Sequence, residues 1–400
     1  MNKIIFYCVV GLFLLIFTAR SLVPGMIEKN LNAVQTHAPY VISDAAKTLH
    51  QSLFIVDTHS DSMLWDRDLS ERADRGHMDL PRLQEGNVGL QVFSATTKSP
   101  RGQNYSSNTG GSDNITSLTI AQTWPIATWT SIYARADYQL DKLQRLVNKN
   151  PDEMMFVKTR TDLEALLQAR KSNKNMVGAM YLIEGSHPLE GNIDNLNKLQ
   201  AKGLHFVGLT HFFDNRLGGS LHGVSGEGLT DFGRSVIARA DQLSMTIDIA
   251  HASPQMVADV LALSTRPVLL SHGGFKGICD TDRNLKDELM KQVAAQGGII
   301  GVGYWPAAVC DASPVGIVKS IRYGIGLLGV DHIALGSDYD GSTTTPFDTS
   351  ELAILTQTML DEGFSEREIR AVMGGNMKRF LREQLPVKLE LPDWESRTEN

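Results

Sequence analysis

Six apolar runs in this chain stop at a side chain able to ligate a metal or carry a proton. "FIVDTHSDS" ends in His59 and Asp61, "VGAMYLIEG" in Glu184 and "HFVGLTH" in His211. "MTIDIAH" ends in His251, "PVLLSH" in His272, and "HIALGSDYDG" in Asp338 and Asp340. Such groups are costly to bury at the end of a strand without partners. Imidazole and carboxylate donors without thiolates suit Zn2+, and less strongly Mn2+, Co2+ or Fe2+. The ligands outnumber what one ion takes. Two ions are therefore expected, His59 and Asp61 on one, His251 and His272 on the other, with Glu184 bridging. Two such cations clamp and acidify a shared water, and the resulting hydroxide is a nucleophile at neutral pH. The reaction class is metal-assisted hydrolysis. The sequence has no Gly-x-Ser-x-Gly turn and no cysteine with a His partner in its pattern, so no Ser or Cys nucleophile is called for.

These ends need a scaffold that brings them together. Eight short β-rich runs alternate with amphipathic helical stretches, at 53–61, 88–95, 177–185, 205–211, 245–251, 267–272, 297–304 and 332–341. Near-continuous apolar strands alternating with helices read as a parallel sheet covered on both faces. Eight such units indicate a (β/α)8 barrel, in which strand ends converge on one face. Within a strand, residues two apart share a side, which puts His59 beside Asp61 and Asp338 beside Asp340. The longest insertion follows the second strand, at about 96–176. It opens with the Gly/Ser/Asn-rich "TTKSPRGQNYSSNTGGSDN", a length and composition that suit a lid or substrate wall.

Composition supports one folded catalytic unit. Apolar residues make up 42% of the chain and charged residues 21%, so a large core can form and extended disorder is not expected. The net charge of −7 and the lack of a basic block argue against a nucleic-acid partner. The N-terminal "MNKIIFYCVVGLFLLIFTAR" is a charged start followed by a hydrophobic run, the pattern of an export signal. Residues 1–20 thus read as a signal or membrane anchor, 21–50 as a lead-in, 51–385 as the barrel and 386–400 as a polar tail. The protein is expected to be exported, to the periplasm or an outer face, either anchored in the membrane or soluble after cleavage. Only Cys279 and Cys310 lie beyond that run, and in an oxidising compartment they form a natural disulfide pair. The alternative is two buried free thiols.

The ordered stretches "DTHSD", "IEGSHPL", "GLTHFFDN", "GLTDFG", "IDIAHAS", "PVLLSH", "DRN" and "GSDYDG" resemble those of the membrane (renal-type) dipeptidases. These are binuclear zinc barrels of the amidohydrolase superfamily, and the likeness spans roughly residues 50–385. The resemblance implies two Zn2+ per chain. His59, Asp61 and Glu184 would hold the first and Glu184, His251 and His272 the second, with Glu184 and a hydroxide as bridges. It also implies that His211 contacts the substrate and stabilises the tetrahedral intermediate. Arg283 of "DRN" would bind the terminal carboxylate of a dipeptide, and Asp338 would pass a proton to the leaving amine. Asp340 ranks second for that proton, and Asp57 is expected to orient a ligating imidazole. Family members often pair, which leaves room for a homodimer. Two alternatives stay open: another amidohydrolase, acting on an N-acyl amino acid, a lactone or a phosphoester, or an exported binding protein without turnover.

Overall fold

A computed structural model describes residues 22–389. The expected signal or anchor at 1–20 and the end of the polar tail lie outside the described residues. Among the described residues no helix is long and apolar enough to cross a membrane.

The eight runs form eight parallel strands that close on one another. They are β1 (Ile55–Ser60), β2 (Val88–Thr96), β4 (Val177–Glu184), β5 (Leu204–Gly208), β6 (Thr246–Asp248), β7 (Leu269–Gly273), β8 (Ile299–Val302) and β9 (Ile333–Leu335). One short strand inside the insertion, β3 (Met154–Phe156), was not evident from the sequence. It pairs with the first residues of β4 and leaves β2 free to pair with β4 along seven residues, from Leu90↔Gly178 to Thr96↔Glu184. The ring closes where Asp57 of β1 lies opposite Leu335 of β9. Every residue of β2 and β4 is buried, as a strand covered on both faces requires. The architecture is the (β/α)8 barrel that the alternation indicated.

The helices follow their local chemistry. Ser131 caps the helix Ile132–Lys149, and Thr159 with Asp162 makes a capping box for Arg160–Ala169. Pro254 and Pro314 stand in the first turns of Pro254–Leu263 and Pro314–Leu328, where a missing N–H costs nothing. Met377, Phe380 and Leu381 of the last helix, Asn376–Gln384, belong to one buried cluster with Val56, Val92, Leu182 and Phe206. The C-terminal helix is thus welded to the barrel. Cys279 and Cys310 are disulfide-bonded, tying the segment after β7 to the short helix Pro306–Val309 after β8.

Ahead of the barrel, a helix covers residues 22–31, and an extended stretch leads to the helix Asp44–Ser52. That extended stretch runs beside the loop after β9, with a bridge between Val34 and Thr345.

Candidate active site

Glu184 is the last residue of β4, and Gly185 turns the chain immediately after it at φ +81°, a conformation glycine adopts freely. The Glu184 carboxylate is buried and faces four imidazoles. Its Oε1 lies 3.5 Å from His59 Nε2, 3.2 Å from His251 Nε2 and 3.4 Å from His272 Nε2. Its Oε2 lies 3.4 Å from His211 Nε2. Asp61 Oδ2 and Asp338 Oδ1 stand 3.7 and 3.9 Å from His59 Nε2. The residues singled out from the sequence therefore meet within one cluster. Three overlapping triplets (His59, Glu184 and His272; Glu184, His211 and His251; His59, Asp61 and Asp338) each bring three ligand atoms within 4.8 Å of one another.

The donor set fits metal ions. His59 Nε2 is buried and has no hydrogen-bond partner. The Nε2 atoms of His251 and His272 face each other at 3.0 Å, with the Glu184 carboxylate beside them. Burial alone pulls the His59 imidazole down, but the charges of Glu184, Asp61 and Asp338 outweigh it and lift the group to about 10. A proton there stands where a cation is wanted. Burial, with the Arg283 and His59 charges nearby, holds His251 and His272 well below the usual imidazole range, in the neutral form that ligates metals.

Residues that the strand-end pattern did not reveal hold this cluster in place. Thr96, last residue of β2, donates its hydroxyl within 2.9 Å of Asp61 Oδ1 and 2.8 Å of Glu184 Oε2. The β2–β4 register opposes it to Glu184, a contact invisible until the strands are paired. Asp248, last residue of β6, accepts the Ser271 hydroxyl at 2.6 Å, and Ser271 Oγ lies 2.9 Å from His272 Nδ1 and 3.4 Å from His59 Nδ1. That arrangement turns both Nε2 atoms toward Glu184, a common way of orienting ligating imidazoles. Alternation in "IDIAH" could have raised Asp248, since its carboxylate lies within a strand whose neighbours are apolar.

Two expectations need correction. Asp57 does not orient an imidazole: its carboxylate accepts the backbone N–H groups of His59 at 3.0 Å and Ser337 at 3.2 Å, and so ties β1 to the loop after β9. Asp340 is not a second proton donor. It is wholly buried against Arg67, and its Oδ1 accepts the His77 backbone N–H at 2.7 Å. Burial pushes its carboxyl up, but the Arg67 charge prevails and holds it well below the usual range. Strand parity failed here because β9 ends at Leu335, and Asp338 and Asp340 adopt φ of 59° and 63°. His251 and Ser342 are also left-handed, at 62° and 61°. Such backbone costs non-glycine residues about 1–2 kcal/mol each and persists only where the surroundings impose it.

The cleft over Glu184 is walled by His211, Arg283, Asp338, Trp305 and Tyr105. Arg283 is buried, donates Nη2 to the His272 carbonyl at 2.7 Å, and lies over the Trp305 ring at 5.4 Å. Tyr105 comes from the Gly/Ser/Asn-rich loop, and its hydroxyl accepts Trp305 Nε1 at 3.0 Å. That loop is a wall of the cleft rather than a free excursion. Burial, together with the charges of Asp61 and Glu184, keeps the Asp338 carboxyl well above its ordinary range against the pull of His59 and Arg283. A shift in that direction suits a group that hands over a proton.

Buried imidazoles and carboxylates gathered at the strand ends of a (β/α)8 barrel define a metal-dependent hydrolase. The chain belongs to the membrane dipeptidase family (peptidase family M19), whose sequence model matches residues 43–392. It is 26% identical to dipeptidase aclJ of Aspergillus oryzae over 364 residues, 85% of this chain and 80% of the relative. It is also 26% identical to dipeptidase tcpJ of Claviceps purpurea over 317 residues, 77% of this chain and 69% of the relative. Among solved structures, the fold is shared with the family M19 metallopeptidase dipeptidase AC, at TM-score 0.68 and 21% identity, covering 84% of this chain and 100% of that one. A probable dipeptidase of Pseudomonas aeruginosa, PvdM, aligns at TM-score 0.70 and 17% identity over 85% of this chain and 97% of its own.

Proposed function

We propose that this protein hydrolyses the peptide bond of dipeptides with two zinc ions held by His59, Asp61, Glu184, His251 and His272. The observation that carries the reading is one buried carboxylate, Glu184, facing four imidazoles in a cleft that also holds the buried guanidinium of Arg283 and the buried carboxyl of Asp338. When bound, the metals supply an acidified water as nucleophile and polarise the scissile carbonyl. The protein's own groups do the rest. Arg283 takes the substrate's terminal carboxylate, for which a planar guanidinium is well shaped. That contact limits the length of chain beyond the scissile bond to one residue. His211 Nε2 lies 3.4 Å from Glu184 Oε2 on the wall of the cleft and would donate to the carbonyl oxygen as it gains charge. Asp338 gives its proton to the departing nitrogen. Trp305 and Tyr105 exclude water from one side of the cleft.

The apolar run at 4–19 supports export, with the chain either held at the membrane by that run or released by cleavage. A pair of chains is the assembly that family membership favours.

The test is metal content and dipeptide hydrolysis before and after chelation. About two zinc ions per chain, with activity lost on chelation and restored by zinc, is the expected result. A metallopeptidase of Rhodobacter sphaeroides with this fold is described with a phosphinate mimic of L-Ala-D-Ala, which supplies an inhibitor for the same assay. Two bound metals without dipeptide turnover would refute the substrate assignment, and a protein that binds no metal would refute the site.

A further inference from the structure

The segment ahead of the barrel makes polar contacts with the loop that carries Asp338 and with the loop after β1. Glu28, on the helix covering 22–31, is 1% exposed although it is an acid on a surface helix. Its carboxylate pairs with Arg67, and Arg67 pairs in turn with Asp340, itself 0% exposed. The second Glu28 oxygen takes Arg75 Nε at 2.8 Å, so two acids and two bases balance with no charge left over. Four residues on, Asn32 Oδ1 accepts the Ser342 backbone N–H at 2.8 Å. The Ala33 carbonyl accepts the Thr345 N–H at 3.0 Å, and the Thr345 carbonyl accepts that of Gln35 at 2.8 Å. His77 joins both sides, its Nδ1 accepting the Asp340 N–H at 3.0 Å and its Nε2 lying 3.2 Å from the Ala33 carbonyl.

These contacts land on the stretch whose backbone is least able to hold itself. Asp338, Asp340 and Ser342 are all left-handed, and none is glycine. Conformations of that kind survive where neighbours over-determine them. Glu28, Asn32, Ala33 and Gln35 all precede residue 43, where the match to the family begins.

We infer that residues 28–35 are a brace that positions the proton donor Asp338, acting through the buried Glu28–Arg67–Asp340 relay and the Asn32–Ser342 hydrogen bond. The inference rests on Asp338 being that donor. Glu28 and Asn32 touch neither substrate nor metal ligands; they are positioning residues. Arg283, His59, Glu184, His251 and His272 are carried by β1, β4 and the segments around β6 and β7, and Asp61 also meets the braced loop through its N–H, which donates to the Tyr339 carbonyl at 2.9 Å. The acid itself is the group the brace chiefly positions, so loosening it misplaces Asp338 with Arg283 and most of the ligands left where they are. A misplacement of about 1 Å at a catalytic group costs up to about 100-fold in rate.

The experiment uses the full chain and measures kcat, KM, metal content and Tm on one dipeptide. The variants are Glu28→Gln, Asn32→Ala, Asp338→Asn as reference and Lys29→Ala as control. Lys29 lies on the same helix as Glu28 and pairs with the exposed Asp74. The brace predicts kcat down about 10- to 100-fold for Glu28→Gln and for Asn32→Ala, with KM within about twofold of wild type and both metals retained. Lys29→Ala keeps the wild-type kcat. Asn32→Ala removes one hydrogen bond and no charge, so it reads the brace even if Glu28→Gln does not fold. Wild-type kcat in both brace variants, with only Tm lowered, would show a purely structural segment and overturn the inference. Metal loss, or a rise in KM alone, would also overturn it. If Asp338→Asn kept full kcat, the assignment of the acid would fall instead, which separates the two failures.

Discussion

Arg283→Gln offers the sharpest test of the substrate class. The guanidinium is 2% exposed, with its Nε unpartnered and one Nη spent on the His272 carbonyl. A buried cation with unused donors facing the cleft is matched by an anion. At an effective dielectric of about 20 and a separation of about 4 Å the pair is worth about 4 kcal/mol before desolvation. Hydrogen bonds to charged groups leave about 1.5–3 kcal/mol net in mutational series. Loss of the cation should then lower kcat/KM by about 10- to 150-fold, since 1.4 kcal/mol is about tenfold. A carboxylate that takes no part in the bond changes is bound alike before and during reaction, so the loss should fall on KM with kcat nearly kept. Gln was chosen because its amide can still donate to the His272 carbonyl and hold that ligand. The assay compares a dipeptide with its C-terminal amide. Wild type should favour the acid strongly and the variant should favour it little. Equal losses on acid and amide, or a fall in kcat alone, would refute the role of Arg283 and with it the restriction to dipeptides.

The disulfide and the metal centre give two more expectations. Cys279 and Cys310 are separated by 31 positions, and a closed loop of that size is worth about 3–4 kcal/mol in the chain-entropy account. Reduction, or Cys310→Ser, should lower the urea midpoint accordingly; an unchanged midpoint would show that the bond adds nothing to the barrel. In the metal-free protein His59 is lifted to about 10, above its ordinary 6.5. Its charge therefore stabilises the fold fully below pH 6.5, and that contribution is lost as pH rises through about 10. The Tm of the apoprotein should fall between pH 7 and 10 more than that of the zinc form. Zinc loading at pH 7 should release close to one proton from this residue, read by calorimetry in buffers of different ionisation enthalpy. No buffer dependence would contradict the charged His59.

The parts of the molecule legible in the sequence are those governed by local pattern. Continuous apolar runs announce buried parallel strands, and ligand-type residues at the ends of six of the eight announce the converging face. Asp57, Asp340, Thr96 and Asp248 show where that reading stops. Asp57 and Asp340 sit at motif positions that suit catalysis, but they serve the backbone and the brace, because their partners Ser337 and Arg67 lie far off in sequence. Thr96 and Asp248 gain their roles from strand register and from Ser271, neither of which a linear pattern contains. The short strand β3 was missed because three residues carry too little periodicity to stand out. Nothing local marks Glu28, because its partner Arg67 lies in the loop after β1.

The closed ring of strands also dictates when the centre comes into being. Its five proposed ligands span positions 59 to 272, yet the side of β1 that bears His59 is sealed by β9, which begins at Ile333. No early fragment of the chain holds the ligands in place, and the proton donor is among the last residues to be delivered. Pairings this distant in sequence form late and slowly. On the proposed function, bound metal would thus report completed assembly. A chain cut short or nicked between β7 and β9 would keep every ligand in its covalent sequence and still be expected to lose the high-affinity pair. Zinc retention after limited proteolysis would then measure ring closure, independently of turnover.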